Sequence, residues 1–495
     1  MCQLTGRMGT FRQCFGRRMV TFRQWFGGRM VTFQQCFEGR MVTFRQWFGA
    51  RMVTFQQYFG VRMVTFPQQT FYSSGSMLAD NESEESPMRI SRYEISLTVT
   101  PATGHIQSKA RCLCVAAADT DRVQFLLHRD LSISRIEGKG ISGFSVEPDC
   151  AFPFTPEAST ITVNLDHTAR VGETLDMIVD YSGTQVRVPE AWGVNCVTPE
   201  WVELGMYGPW FPWQPSDQEG FTYSVRVAAP PGYSVTGLGE SERAVDGWLV
   251  RSSLPVTDIV VIAAPDLGHK TVERGGVRAT THFPSPAGEQ VANLAGTIAD
   301  DVVWILEYFR SWLRDDSDRV SSASVVISPR TSGGGYARPG FVVLGDIEAL
   351  VSRPQATFKY AAHEFSHFWW CSAPKDIWED WLNEGFAEYS ALRATRAKFG
   401  EEGIRDIVRK KGERAAGLPP VRGIDRTSGQ AYQVLYDKAC LLLMGLAARI
   451  GEQAFDKVAR EFLSLESKHT AAFLEVLAKH AGRDVSADFD RLLSE

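Results

Sequence analysis

The chain has 495 residues, is 44% hydrophobic and 22% charged, and carries a formal net charge of -6. That length can bury two or more cores, and an acidic balance without a basic cluster argues against a nucleic-acid partner. No apolar run reaches the ~20 residues that span a bilayer, and the N-terminus lacks the charged-then-apolar layout of a secretory leader. No membrane partner is therefore expected, and on those absences the expected location is cytoplasmic. Nine cysteines are scattered without a CxxC pair, which favours free thiols over disulfides or a thiolate metal site.

The first segment is a tandem repeat. Units close to "RMVTFRQWFGG" begin at Arg7, Arg18, Arg29, Arg40, Arg51 and Arg62. Their Val-Thr-Phe triplets and glycines oppose a continuous helix. Near-identity between units exceeds what packing requires, so residues 1–76 are expected to be disordered, or a translated DNA repeat outside the native protein with Met77 or Met88 as later starts. An alternative is a self-associating tail with aromatic stickers. Residues 77–88 are polar and acidic and read as a linker.

From Arg89 the texture changes. "YEISLTVTP", "VQFLLH", "ITVNL", "MIVDY" and "YSVRVAAPPGYSV" are short β-prone runs broken by turn residues. They predict an antiparallel β domain over 89–283, with the tryptophans between Trp192 and Trp213 serving as packing. Beyond residue 284, "AGEQVANLAGTIADDVVWILEYFRSWL" has helical periodicity. The strand-like "ASVVISP" and "FVVLGD" then flank the turn "SGGGYARPG", and helical patterns run to the end, including "QVLYDKACLLLMGLAARI" and "EQAFDKVAREFLSL". The expected whole is a multidomain α+β protein, with the β domain followed by a mixed α/β catalytic domain over 284–495.

The chemistry centres on "YAAHEFSHFWW", residues 360–370. Residues four apart on a helix share a face, so His363 and His367 can bind one ion. Glu364 projects alongside, where it suits a base acting on water. A catalytic zinc needs a third protein ligand and an open position. "WEDWLNEGFAEYSAL" offers Glu384 and Glu388, four apart, one as ligand and the other as a partner for a histidine. Phe365, Phe368, Trp369 and Trp370 indicate a buried helix, and buried imidazoles need polar partners.

At these residues the chain resembles the gluzincin aminopeptidases, the family of aminopeptidase N and leukotriene hydrolase. "HEFSHFWW" is similar to the family's zinc helix, and "WLNEGFAEY" to its third-ligand helix, over a resemblance spanning about 89–495. It implies a thermolysin-like catalytic domain, no C-terminal helical domain, and one Zn2+ per chain held by His363, His367 and Glu384. Glu364 is then the general base, and Tyr436 in "YDKAC" the oxyanion-stabilising tyrosine, with Tyr432 as the fallback. Sixteen residues, Phe368 to Asn383, separate the second histidine from Glu384, two fewer than usual in the family. Cys371 is expected to be a buried, inert thiol on the histidine face.

One departure bears on substrate. "GGYARPG" stands where the family has a Gly-x-Met-Glu-Asn strand, so Ala337 replaces the glutamate that binds a substrate's free amine, and Arg338 the asparagine. A cation there could instead favour an anionic substrate group. The backbone of Gly334 and Gly335 can still lie along a peptide, and Glu203 occupies the position of a second amine contact, where a surface glutamate is the bland reading. The resemblance thus implies a zinc metallopeptidase hydrolysing peptide substrates. The alternatives are a hydrolase with no need of a free N-terminus and a lapsed enzyme acting as a scaffold. Oligomeric state is not legible.

Overall fold

A computed structural model of the chain describes residues 86–495 apart from 153–154, 185–193, 216–219, 316–320, 331–334 and 376, and strand backbones within 12–58. Residues 77–85 of the expected linker lie outside the described residues. The repeat strands belong to a unit of their own, Met1–Thr70, and pair as an antiparallel meander. Its register sets Phe22 opposite Phe33, Phe33 opposite Phe44 and Phe44 opposite Phe55.

The β-prone runs are strands. Tyr93, Ile95, Leu97 and Val99 are buried on alternate positions of the strand Met88–Thr100, so one face meets the core and the other meets water. This strand pairs antiparallel with His105–Ala116 and parallel with Phe221–Ala228 inside a seven-stranded sheet. Three- and four-stranded sheets complete the layer. Trp201, Trp210 and Trp213 are at most 5% exposed, and their indole N–H groups donate to Glu203, Ile259 O and Thr257 O. These tryptophans are packing, as expected; Trp192 lies outside the described residues.

A five-stranded sheet begins the second half, in the order Leu267–Arg274, Val277–Pro284, Ser322–Ile327, Phe341–Leu344, Tyr336–Arg338. Its first two strands precede residue 284 yet pair here, because helix α1 (Glu289–Leu313) carries the chain over to a parallel neighbour. Val291, Ala295, Ile298, Val302, Leu306 and Phe309 form the buried stripe of α1. The edge strand Tyr336–Arg338 pairs antiparallel with Phe341–Leu344.

Helices follow: α2 (Ile347–Ser352), α3 (Pro354–Ser366), α4 (Trp381–Ala415), α5 (Ala439–Ile450), α6 (Glu452–Ser464), α7 (Thr470–Ala481) and α8 (Arg483–Leu493). Gly400, at φ 74 and ψ -177, breaks α4 into two segments. Gly385 lets α4 and α5 touch, since a Cβ there would sit 2.9 Å from Ala439 Cβ. The sequence pattern predicts one helix through "QVLYDKACLLL", but Gln433–Lys438 is a π-helical turn ahead of α5. Among the described residues no helix is long and apolar enough to cross a membrane, and the five described cysteines are free.

A buried ion pair ties the edge strand to the β layer. Arg338 donates through Nε to Asp258 Oδ2 at 2.8 Å and through Nη1 to Ala337 O at 2.7 Å. Its guanidinium lies over the rings of Tyr207 and Tyr336, at 5.1 and 5.2 Å. Burial pushes the Asp258 carboxyl up, and Arg338 opposes it. Removing one partner of such a pair costs about 3–5 kcal/mol, so Arg338→Met should lower the urea-unfolding free energy by roughly that amount. Without the guanidinium the Asp258 carboxyl rises further. The folded state then holds a proton that the unfolded state releases, and stability is lost as pH rises through that folded value. The variant's deficit should therefore shrink between pH 8 and pH 5; a deficit that grows on acidification contradicts the pairing.

Candidate metal centre

Helix α3 opens on Pro354, whose fixed φ suits a first turn, and ends at Ser366 with His367 as its cap. Phe365, Trp369 and Trp370 are 1%, 4% and 3% exposed. They anchor the helix in the core, helped by indole bonds from Trp369 to Asp315 and from Trp370 to Ser390. The short loop to α4 is closed by Asn383, whose amide pairs with both the N–H and the carbonyl of Ala373, at 3.1 and 3.0 Å. That clamp delivers the start of α4 to the histidines.

Three donor atoms converge. Glu384 Oε2 lies 3.3 Å from His363 Nε2 and 3.6 Å from His367 Nε2. The opposite ring nitrogens are engaged elsewhere: His363 Nδ1 lies 2.9 Å from Glu388 Oε1, and His367 Nδ1 is 2.7 Å from Trp370 O. Each imidazole is thus turned with Nε2 toward the carboxylate, as second partners do for metal-binding histidines. Glu384 Oε2 is buried and makes no hydrogen bond of ordinary geometry, and neither does His363 Nδ1, whose contact with Glu388 is an ion pair. Ligands on a tetrahedral zinc with ~2.0–2.1 Å bonds sit about 3.3 Å apart, so the spacing fits the ion. Glu364 also brings a carboxylate oxygen within 4.8 Å of both imidazoles.

The electrostatics ask for a cation at the same place. Burial favours a neutral His363, but Glu384 and Glu388 outweigh it and pull the ring up to about 10. Burial likewise favours a neutral Glu384, and the two histidines with Tyr436 overcome it and hold the carboxyl low. Buried carboxylates facing imidazoles in this way are compensated by a proton or by a metal ion.

Tyr436, on the π-helical turn, stacks on the His363 ring at 5.7 Å and 16°. Burial, then the nearby Glu384 and Asp380 charges, push its hydroxyl well above the ordinary tyrosine range, which keeps it a proton donor. Tyr432, 59% exposed, stacks on the outer side of Tyr436 at 4.2 Å. Sequence reasoning passed over Tyr360, although it stands four residues before Glu364 on one helix face. Burial is the first cause and the nearby Glu364 the second in pushing Tyr360 upward. A Cβ on Gly335 would meet the Tyr360 hydroxyl at 2.7 Å, so the edge strand and α3 approach closely there. Gly334 lies outside the described residues.

Three expectations are corrected. Glu203 is not a surface group: it is 0% exposed, and its Oε2 accepts from Trp201 Nε1, Ser328 Oγ and Arg330 Nε at 2.9, 2.9 and 3.2 Å. Arg338 is no free cation for a substrate anion, because Asp258 already neutralises it. Cys371 lies beyond the end of α3 and is only half-buried, beside Ser372, because the helix stops at Ser366.

No protein-family model matches the sequence. An M1 zinc metallopeptidase from Deinococcus radiodurans superposes with a TM-score of 0.61 at 19% identity, over 83% of this chain and 95% of that one. A variant of the Deinococcus radiodurans M1 enzyme bound to a Tyr-Ser-Ala substrate gives 0.59 at 19%, over 83% and 95%. Yeast LTA4 hydrolase gives 0.63 at 15%, over 83% of this chain and 68% of its own. The resemblance carried by "HEFSHFWW" and "WLNEGFAEY" thus extends across the described fold, and this chain is similar in fold to the M1 zinc metallopeptidases and to LTA4 hydrolase.

Proposed function

We propose that this chain is a zinc-dependent peptidase of aminopeptidase type, holding one zinc per chain on His363, His367 and Glu384. The observation that carries the reading is the convergence of two Nε2 atoms on Glu384 Oε2 at 3.3 and 3.6 Å. In the same reading the β-rich part covers a catalytic part, whose sheet begins at Leu267 rather than at the expected boundary of 283/284. A zinc ion in this site would supply a Lewis acid for a peptide carbonyl and lower the pKa of a water at its open position. Glu364 takes the proton of the attacking water and returns it to the leaving amine. Tyr360, whose hydroxyl is close enough to Glu364 to feel its charge, steadies that carboxylate. Tyr436, held protonated, donates to the oxyanion that develops on the carbonyl. The backbone of Gly334 and Gly335, ahead of the edge strand in sequence, is assigned to run along the peptide, and Glu203 is among the charges that act on the Tyr336 hydroxyl.

A second reading, hydrolysis without need of a free N-terminus, is favoured by a specific observation. Ala337 offers no carboxylate, and the neighbouring Asp258 and Glu203 already face Arg338 and Arg330. A buried charge-assisted contact is worth about 1.5–3 kcal/mol, or roughly ten- to a hundredfold in kcat/KM.

Two experiments test these statements. Glu364→Gln should lose about 10²–10⁴-fold in kcat with zinc content unchanged, and Tyr436→Phe about 10²–10³-fold in kcat; undiminished turnover in either variant refutes its assigned role. Matched peptides with free and acetylated N-termini, assayed with and without chelator, separate the two readings. Loss of less than about tenfold on acetylation supports the amine-independent one, and a larger loss supports the aminopeptidase. Turnover that persists in chelator defeats both.

A further inference from the structure

Lys411 is only 3% exposed. A straight helix would carry it roughly 35 Å from Glu388, 23 residues earlier at 1.5 Å each. Its Nζ is instead 2.6 Å from Glu388 Oε2, because α4 breaks at Gly400 and its second segment returns toward the first. The ammonium also meets Asp437 Oδ1 at 2.6 Å and the carbonyl of Tyr436 at 3.2 Å. Two hydrogen bonds and one ion-pair contact thus surround the ammonium.

Those acceptors belong to two parts of the catalytic site. Glu388 uses its other oxygen, Oε1, on His363 Nδ1 at 2.9 Å and on Lys359. Asp437 and Tyr436 lie on the π-helical turn Gln433–Lys438 that presents the Tyr436 ring to His363. Arg414 holds Asp437 from the outside, Nε to Oδ2 at 2.6 Å. Burying an ammonium costs several kcal/mol even after relaxation, and hydrophobic packing alone would close this space at no such cost. The charge is placed where it can fix two things at once.

We propose that Lys411 is a positioning residue: its ammonium locks Glu388 against the back of His363 and clamps the turn that carries Tyr436, so one cation sets both the metal ligand's ring and the oxyanion donor. It also keeps Glu388 engaged away from the ion, which leaves Glu384 as the ligand although both glutamates stand on one face of α4. The inference rests on the function proposed above for those residues.

The test uses full-length protein loaded with zinc. Lys411→Met is compared with Lys398→Met, which removes another partly buried ammonium of α4, paired with Asp301, fourteen residues or roughly 21 Å along the helix from Glu384. Lys411→Met should release zinc to a chelator about 10–100-fold faster. Its kcat on the best peptide should fall at least tenfold, with KM within twofold. Lys398→Met should lower the melting temperature and leave zinc release and kcat within twofold of wild type. Zinc release and kcat in Lys411→Met within twofold of Lys398→Met overturn the proposal. Should Lys411→Met not fold, the isosteric Asp437→Asn decides: a kcat loss of tenfold or more with unchanged zinc release supports the clamp, and an unchanged kcat overturns it. Zinc release is read without substrate, so a wild type that binds zinc but cleaves no peptide counts against the proposed function and leaves the Lys411 measurement decisive.

Discussion

The interaction on which this structure depends is the facing of one buried carboxylate by two imidazoles from a single helical turn. None of the three groups is comfortable alone in that interior. A desolvated carboxylate costs several kcal/mol without a counter-charge, and imidazoles away from water need partners for both nitrogens. The surrounding fold supplies every partner but the last. Glu388 and the Trp370 carbonyl take the Nδ1 atoms, Asn383 fixes the loop, and the aromatic belt of Phe365, Trp369 and Trp370 excludes solvent. What is left over is a set of lone pairs pointed at one spot, which is a description of a cation site.

Around that spot the protein uses charge in layers. Next to the donor atoms lie Glu388 and Asp380, and behind them lie cations. Lys359 and Lys411 bracket Glu388, and Arg426 donates to Asp380 Oδ2 at 2.9 Å. Burial leads in pushing the Asp380 carboxyl up to about 6, with Glu384 adding to it and Arg426 opposing. Such alternation of sign lets a low-dielectric interior carry many ionised groups, because each has an opposite neighbour within bonding distance. It also makes the arrangement intolerant of single deletions.

How much of this could be read from the chain follows from how local each feature is. His363, His367, Glu364 and Glu384 sit in two short strings whose spacing is set by helix geometry, so their convergence was legible. The alternation in "YEISLTVT" likewise gave a half-buried strand. Long-range pairings were not legible. Arg338 reads as a cation at a substrate strand until Asp258, eighty residues away, is seen beneath it. Glu203 reads as a surface residue because its partners Ser328 and Arg330 come from the other half of the chain. Lys411 lies in "RKKGERA", which looks like a solvated charge run. Nothing in that string tells that Gly400 bends the helix and turns one of its lysines inward. Tyr360 was within reach, being one helical turn before Glu364, but a tyrosine at that spacing also suits plain packing.

The edge strand beside the donor atoms is fastened at Arg338 to an aspartate of the β layer, between two tyrosine faces. Parting those charges would strand both in an apolar gap, so the rim has no inexpensive way to swing outward. The strand's place over α3 is thus set by charge as well as by sheet pairing, and moving it would mean breaking both.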